Sequence, residues 1–432
     1  MRQFAGPVYT ALQIEELRSV ASALGIANVE LEATDGWGGL MHADGISPEA
    51  LAEVASRCIL ASSAFEVWGT GESHSSAFAS VDLERLRASI SQRSWRAKPI
   101  VLGKRRSNIT AALSNYKPLI RELGSVDFKS PEIELCAMEK WGRDCDGTLR
   151  LQKVMFGREI KPQTSQNSTK GVLETYKLRD RSYLGFTAMD PELSFVMNNL
   201  ARVRPGSRVL DPFCGSGSIL LAAAELGAVT FGVDVDEKVL EGRRSGKASH
   251  PGDCAASQVF EGLEDDDGDE REASGKAAAL SIARNFADKG LEPPTLTQGS
   301  VYNRSIELLN ERYDAIVSDP PYGLMEVSLQ ETEGSKRFVE QPLDPGPCLR
   351  LIELAGSSLH VGGRLVFFWP VRNSESEQHQ SPAMKYLDFT TAQSMRLCAD
   401  FKETMSAKWS RWLVVFEKID SRKRVSVDIE SS

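Results

Sequence analysis

The chain has 432 residues, of which 41% are hydrophobic, and its formal net charge is −9. No apolar run reaches the roughly 20 residues that cross a bilayer. The first residues contain no signal-peptide core, so we expect a cytoplasmic protein of two or three domains with no membrane segment. Seven cysteines and five histidines are scattered without a CxxC pair, which argues against a disulfide framework and an intrinsic metal site.

The acidic charge is unevenly distributed along the chain. Residues 261–272 contain eight acids and one Arg, and the remaining chain carries 52 acidic against 50 basic side chains. Residues 93–121 carry eight bases and no acid, which makes them the best candidate surface for a polyanion such as RNA; a solvated helix and loop face is the alternative. The candidate RNA-binding residues are Arg93, Arg96, Lys98, Lys104, Arg105 and Arg106.

The amino-terminal part has a mixed α+β pattern. Apolar periodicity predicts helices at 11–24, 48–62 and 109–123. Short apolar runs predict strands at 65–69, at PIVLG and at EIELCAM.

From about residue 200 the pattern becomes α/β. The segments SRVLDPF, VTFGVDVD, DAIVS, GGRLVFFWPV and RWLVVFEKI are predicted as strands that alternate with helices. This alternation is typical of a doubly wound, mostly parallel sheet, in which ligands bind at the carboxyl ends of strands. Residues 243–277 interrupt it, and their composition predicts a disordered acidic insertion or, alternatively, an acidic regulatory element.

The first chemical motif runs from Val209 to Ser218. A strand ends at Asp211, and Gly215 and Gly217 allow the backbone to bend and approach a ligand before a helix begins. Free amides at a helix start favour a carboxylate or phosphate. A simple strand–helix turn is the alternative interpretation.

The second motif is an acid at the end of the next strand. Asp234 lies 23 residues after Asp211, which fits one strand–helix–strand unit, and it is the predicted ribose ligand. We expect Asp236 to cap the following helix.

The third motif is Asp319-Pro320-Pro321-Tyr322, directly after a strand. Two prolines remove two backbone donors and fix the direction of the carbonyls. The Asp319 carboxylate and a rigid carbonyl can accept both N–H bonds of an aromatic amine, which directs its lone pair toward a methyl donor. Tyr322 can stack on a base that has left its helix. This turn therefore predicts an S-adenosylmethionine-dependent methyltransferase acting on an exocyclic amine of a nucleobase.

In this order, DPFCGSG, GVDVD and SDPPYG resemble the amino-methyltransferase branch of the class I methyltransferases. Residues 177–198 and 283–291, and more faintly 56–73 and 126–139, are similar to catalytic subunits of eukaryotic tRNA (guanosine-10-N2)-methyltransferases. The resemblance implies tRNA as substrate and a small zinc-binding activator subunit as partner. It also implies a ferredoxin-like region at 1–70, a THUMP-like RNA-binding domain at 71–165 and a class I (Rossmann-like) methyltransferase domain at 175–420.

The resemblance further implies roles for individual residues. Asp319 and Tyr322, with Pro320 and Pro321 between them, would bind the target guanine. The residues that would bind the cofactor are Thr187, Asp211, Phe213, Gly215, Ser216, Gly217, Asp234, Val235 and Ser300. Four features depart from the family pattern. Thr187-Ala188-Met189 stands where Thr-Ser-Met is usual, and Cys214 replaces a valine-like residue. Ser300 stands where an acid is usual, and Leu324-Met325-Glu326 replaces an Ile-Arg-Glu run. Two alternatives stay open, namely methylation of another base or of a protein amide, and a non-catalytic RNA-binding subunit.

Overall fold

The computed structural model describes residues 6–33, 40–61, 63–102, 112–160, 169–185, 188–242, 281–322, 327–332, 335–340, 344–373 and 380–420. Within these ranges no helix is long and apolar enough to cross a membrane. The chain forms two compact units. Residues 1–25 and 170–432 make up the larger unit, and residues 26–169 make up the smaller one.

The larger unit is built on a seven-stranded sheet. Its strands are β7 (Arg208–Asp211), β8 (Val229–Asp234), β9 (Thr295–Gln298), β10 (Tyr313–Ser318), β13 (Leu359–Arg372), β14 (Met395–Thr404) and β15 (Trp409–Lys418). Their spatial order is β14-β15-β13-β10-β7-β8-β9. The five strands from β13 to β9 are parallel, whereas β15 runs antiparallel to β13 and to β14. A separate hairpin joins β11 (Val327–Thr332) to β12 (Ser335–Glu340).

Helices connect these strands, as expected for a doubly wound sheet. They are α1 (Gly6–Ala23), α6 (Thr169–Thr175), α7 (Pro191–Leu200), α8 (Ser218–Glu225), α9 (Glu237–Leu240), α10 (Ile282–Ala287), α11 (Gly346–Ser358), α12 (Pro382–Lys385) and α13 (Leu387–Ala392). Their starts follow local chemistry: Asp190 accepts a backbone hydrogen bond at the start of α7, and Ser281 does so for α10. The core lies between α11 and the sheet, around Leu351, Phe367 and Phe416.

The smaller unit has an α+β arrangement. Its strands are β1 (Glu30–Ala33), β2 (Met41–Asp44), β3 (Ala64–Gly71), β4 (Trp95–Leu102), β5 (Ile133–Arg143) and β6 (Leu149–Ile160). Its helices are α2 (Pro48–Arg57), α3 (His74–Ala79), α4 (Leu83–Ile90) and α5 (Lys117–Ile120). Four strands form a sheet in the order β3-β6-β5-β4. Tyr116 stacks on Phe156 in its core, with 3.8 Å between ring centroids.

The fold class predicted from sequence is confirmed, with a mostly parallel sheet that follows an α+β region. Within the described part of the predicted helix at 109–123, residues 112–120 are helical, with a 3-10 turn at Ser114–Tyr116 before α5, and the helix ends at Ile120 instead of residue 123. Pro118 lies in the first turn of α5, the part of a helix that tolerates proline. The proposed insertion at 243–277 lies outside the described residues. The three predicted domains stay a prediction; the two compact units divide the chain at other positions.

The first helix belongs to the larger unit. Arg364 at the start of the buried part of β13 donates to Glu15 (3.1 Å) and Ser19 (2.8 Å) of α1, and to the carbonyl oxygen of Leu200. Only 4% of the Arg364 side chain is exposed. Asn199 adds a 2.8 Å hydrogen bond to Glu16. Helix α1 is therefore attached to the sheet by buried polar contacts.

Replacing Arg364 with Ala should lower the free energy of unfolding by about 3–5 kcal/mol, because breaking a buried ion pair leaves its partners without compensation. Arg396→Ala is the matched control: this arginine also pairs with a glutamate, but its side chain is 60% exposed, so the loss should stay below about 1 kcal/mol. Urea denaturation of both variants measures the difference. Equal losses would contradict the role given to Arg364.

Candidate active site

The candidate site lies where the strand order of the larger sheet reverses. Strands β7, β8 and β9 follow one another in one direction from β7, whereas β10 and β13 lie on its other side. In parallel α/β sheets ligands bind at the carboxyl ends of strands at this point. Strand β7 ends at Asp211 and β10 ends at Ser318, so the first and third motifs meet at one edge.

Asp211 connects these two strand ends. Its Oδ1 accepts hydrogen bonds from the Ser318 hydroxyl (2.6 Å) and from the Phe213 backbone N–H (3.1 Å). Asp211 is only 1% exposed, and burial raises its pKa to about 7 although both hydrogen bonds oppose the shift. Through these two hydrogen bonds, Asp211 connects the start of the glycine turn to the end of β10.

The glycine turn has the backbone that the sequence predicted. Gly215 has φ +49° and Gly217 has φ +76°, both in the left-handed region. A side chain at Gly215 would meet open space, whereas one at Gly217 would lie 2.9 Å from Cγ2 of Ile282. Helix α8 begins at Ser218, next to the half-buried Phe213 and the buried Ser216. The open space of the turn therefore lies at Gly215, three residues before α8 begins.

Asp234 lies beside the glycine turn, at the end of β8. Its Oδ2 accepts from the Gly215 N–H (2.8 Å) and its Oδ1 accepts from the Asp236 N–H (2.9 Å). Each carboxylate oxygen has two lone pairs, so a ribose hydroxyl can still bind. Val235 is 64% exposed beside it. Asp236 caps α9 through the backbone N–H groups of Lys238 and Val239, which confirms the capping prediction.

The Asp-Pro-Pro-Tyr turn faces the glycine turn across the β7–β10 boundary. The Tyr322 hydroxyl donates to Asp319 Oδ1 at 2.7 Å. Pro320 is buried and Pro321 is exposed, while the Asp319 side chain keeps 28% exposure. Burial raises the pKa of Asp319 to about 6; Arg411 and the Tyr322 hydroxyl oppose this rise, and Glu403 adds to it.

Two other predicted cofactor residues are less informative. Ser300, half-buried, lies after β9, and its hydroxyl accepts from the Tyr302 N–H at 3.3 Å. Thr187 lies outside the described residues. The segment before Thr187 is fixed by Asn285 of α10. The Tyr183 N–H donates to Asn285 Oδ1 at 2.9 Å, and Asn285 Nδ2 donates to the Tyr183 carbonyl oxygen at 2.7 Å. A side chain at Gly185 would lie 3.0 Å from Ser216, so this segment packs against the glycine turn.

Two arginines at this edge were not assigned from the sequence. Arg181 Nη1 donates to the Ser218 hydroxyl at 2.6 Å, at the first residue of α8, and burial lowers its pKa to about 10, so it stays charged at neutral pH. Arg411 of β15 contacts Tyr322 and Asp319. Arg181 was visible in the segment before the glycine motif; Arg411 had no local signal, because its partners lie far away in the sequence.

The predicted RNA-binding residues belong to the smaller unit. Arg93 is exposed. Arg96 pairs with Glu134 at 2.6 Å and Lys98 with Glu159 at 2.5 Å, along neighbouring strands of its sheet. The charges of Arg96 and Lys98 are therefore matched by acids. Lys104, Arg105 and Arg106 lie outside the described residues.

The residues present fit S-adenosylmethionine. The amides at the start of α8 and the guanidinium of Arg181 offer donors for its carboxylate. Asp234 offers acceptors for its ribose hydroxyls, and the exposed Val235 offers an apolar surface. The open space at Gly215 permits close approach of a ligand to the backbone.

Comparison with known proteins agrees with this arrangement. Residues 179–334 match the RMKL-like methyltransferase domain family, and residues 7–165 match the Tmrp11 THUMP N-terminal domain family. The carboxy-terminal part of the chain is thus similar to a methyltransferase domain, and its amino-terminal part to a THUMP N-terminal domain. The two matched ranges include the predicted Asp319–Tyr322 turn and the predicted RNA-binding residues 93–106.

The similar proteins include tRNA (guanine(10)-N(2))-methyltransferase TRMT11 of Dictyostelium discoideum, which is 32% identical over 299 residues. That alignment covers 65% of this chain and spans half of the Dictyostelium protein. The mouse protein of the same name is 25% identical, covering 94% of this chain and 85% of its own length. The crystal structure of TrmN from Thermus thermophilus matches at 16% identity and a TM-score of 0.39, covering 94% of this chain and 97% of that one.

Replacing Gly217 with Ala should weaken S-adenosylmethionine binding by about tenfold or more, because the left-handed backbone is strained and the new methyl group meets Ile282. Gly290→Ala is the control: Gly290 has φ +67° and open space around it, so it carries the same strain away from the turn. Both variants should lose about 1–2 kcal/mol of stability or more. Calorimetric titration and thermal unfolding separate the two effects, and unchanged binding in the Gly217 variant would contradict the site.

Proposed function

We propose that this chain transfers a methyl group from S-adenosylmethionine to the exocyclic N2 amine of a guanosine at position 10 of tRNA. The observation that carries the proposal is the juxtaposition of the Asp319–Tyr322 turn with the glycine turn at the reversal of strand order. Relatives named tRNA (guanine(10)-N(2))-methyltransferase TRMT11 support the choice of substrate.

The chain's own residues explain how the amine is made reactive. When bound, S-adenosylmethionine supplies a methyl group on a positively charged sulfur. Asp319 and a backbone carbonyl of the rigid turn accept the two N–H bonds of the amine, so its lone pair is held in line for attack. Tyr322 supplies an aromatic face beside the flipped base. The extra proton on nitrogen then leaves to solvent, so no covalent enzyme intermediate is needed.

Substrate binding and partnership extend the proposal. We infer that the smaller unit grips tRNA in the cytoplasm and that exposed Arg93, with Lys104, Arg105 and Arg106, contributes to this surface. Arg96 and Lys98 contribute less, because their charges are matched by Glu134 and Glu159. The family resemblance also supports a small zinc-binding activator subunit as partner.

The direct test is transfer of labelled methyl groups to unmodified tRNA, with and without the activator subunit, followed by nucleoside analysis. We expect N2-methylguanosine. Asp319→Ala should lower turnover by about a hundredfold or more, because the acceptor that orients the amine is lost, and should leave cofactor binding nearly intact. Asp388→Ala, which removes an exposed carboxylate of α13, is the control. Label in N6-methyladenosine or in protein would overturn the substrate, and cofactor binding without any transfer would favour a non-catalytic RNA-binding subunit.

Turnover should also depend on pH through Asp319. Protonation turns one carboxylate oxygen of Asp319 into a hydrogen-bond donor, which opposes the N–H of the amine, and the pKa of Asp319, about 6, lies well above the ordinary 3.8. At saturating cofactor, kcat should therefore fall as the pH drops through about 6 and level off above it. Asp211, with its pKa of about 7, lies beneath the cofactor turn, so its titration should change cofactor affinity. A kcat that stays constant down to pH 5 would contradict the role of Asp319.

A further inference from the structure

Arg411 of β15 lies directly against the Asp-Pro-Pro-Tyr turn. Its Nη1 donates to the Tyr322 hydroxyl oxygen at 2.9 Å and lies 4.0 Å from Asp319 Oδ2. The same Tyr322 hydroxyl donates its hydrogen to Asp319 Oδ1 at 2.7 Å. One guanidinium therefore contacts both functional side chains of the turn.

Three strands hold Arg411 in this place. Its Nε donates to Glu403 Oε2 at 2.7 Å, and Glu403 is the directly opposite residue on β14. The guanidinium lies over the ring of Phe368 on β13, 3.8 Å from the ring centroid. The side chains of Arg411 and Glu403 are 8% and 1% exposed. Arginine suits this position because its planar fork can bind a carboxylate and a hydroxyl at the same time while stacking on an aromatic ring.

We propose that Arg411 is a positioning residue for the methyl-transfer turn, which fixes the Tyr322 ring and leaves Asp319 Oδ2 to accept the N–H of the substrate amine. This inference rests on the proposed function. With the hydroxyl oxygen of Tyr322 bound by Arg411 and its hydrogen given to Oδ1, the side chain cannot swing about its Cα–Cβ bond without breaking two hydrogen bonds. Asp319 Oδ2 is then the carboxylate oxygen directed to the substrate. Arg411 itself does not touch the reacting atoms.

The charge of Arg411 has a second effect on Asp319. The groups that face this carboxylate are Tyr322 on the same turn, Arg411 on β15, Glu403 on β14, Asp211 on β7 and Cys348 on α11. Among these groups, all in the described part of the chain, Arg411 carries the positive charge. Because a nearby positive charge favours the carboxylate, its removal should raise the pKa of Asp319. The acidic limb of the pH profile should therefore move to higher pH.

The test compares Arg411→Gln, Arg411→Lys and the control Arg396→Gln, an exposed arginine that pairs with Glu417. Arg411→Gln should lower kcat about tenfold or more with S-adenosylmethionine affinity changed by less than about twofold, and should move the acidic limb up by about one pH unit. Arg411→Lys should restore the position of the limb but not the full kcat, because an ammonium group lacks the fork that reaches Glu403 and Tyr322 together. Arg396→Gln should match the wild type.

A purely structural role predicts a different result: kcat, cofactor affinity and melting temperature would fall together, and the acidic limb would not move. That outcome overturns the inference. If Arg411→Gln does not fold, because Glu403 is left as a buried unpaired carboxylate, the double variant Arg411→Gln/Glu403→Gln removes both charges. It should still lower kcat, with a smaller upward shift of the limb than Arg411→Gln, because the loss of Glu403 lowers the pKa of Asp319; a kcat equal to that of the Glu403→Gln single variant would overturn the inference.

A second measurement does not depend on turnover and so separates the failure of this inference from the failure of the proposed function. Arg411→Gln and Asp319→Asn, alone and together, form a double-mutant cycle on the urea midpoint of unfolding. Direct coupling makes the double variant's shift differ from the sum of the single shifts, whether or not tRNA is a substrate. Additive shifts overturn the inference. Inactivity of the wild-type chain on tRNA, with a non-additive cycle, would count against the proposed function alone.

Discussion

The hydrogen bond between Ser318 and Asp211 is the contact on which the site depends. It joins the ends of β7 and β10 at 2.6 Å in a buried position, where the strand order of the parallel sheet reverses. The two turns of the site begin at the residues that it joins. The glycine turn leaves the sheet after Asp211, and the proline turn leaves it after Ser318. Two turns that are about a hundred residues apart in sequence thereby face one another with little freedom to separate.

The same edge concentrates acidic groups in a partly dehydrated space. Burial raises the pKa of Asp211 to about 7 and that of Asp319 to about 6. Both pKa values therefore lie much closer to neutral pH than the pKa of a surface aspartate. The chain balances them differently. Asp211 receives hydrogen bonds from neutral donors, whereas Asp319 has the cation Arg411 beside it. This difference fits a structural carboxylate under a cofactor turn and a carboxylate that meets a substrate amine.

Much of the fold and part of the site could be predicted from the sequence, because strand periodicity and turn residues are local signals. Gly215, Gly217 and Asp234 occupy the conformations and positions that their motifs indicate. Arg411 could not be found in this way, since its role depends on Glu403 across a strand pair and on Tyr322 across 89 residues. The ion pairs of Arg96 and Lys98 could not be predicted either, because their acidic partners, Glu134 and Glu159, lie on other strands. The helix predicted at 109–123 is present over the described residues 112–120, but the sequence did not indicate the 3-10 turn at Ser114–Tyr116 within it.

The attachment of α1 to the larger unit makes that unit discontinuous in sequence. The smaller unit is inserted between residues 25 and 170, so the chain passes from one unit to the other twice. During synthesis α1 is made long before β13, because Arg364 follows Ser19 by 345 residues. At ordinary ribosomal rates the helix waits roughly tens of seconds for its partner. Its apolar face, which includes Leu12 and Val20, is exposed in that interval, and the inserted unit can complete its own sheet before the catalytic unit closes.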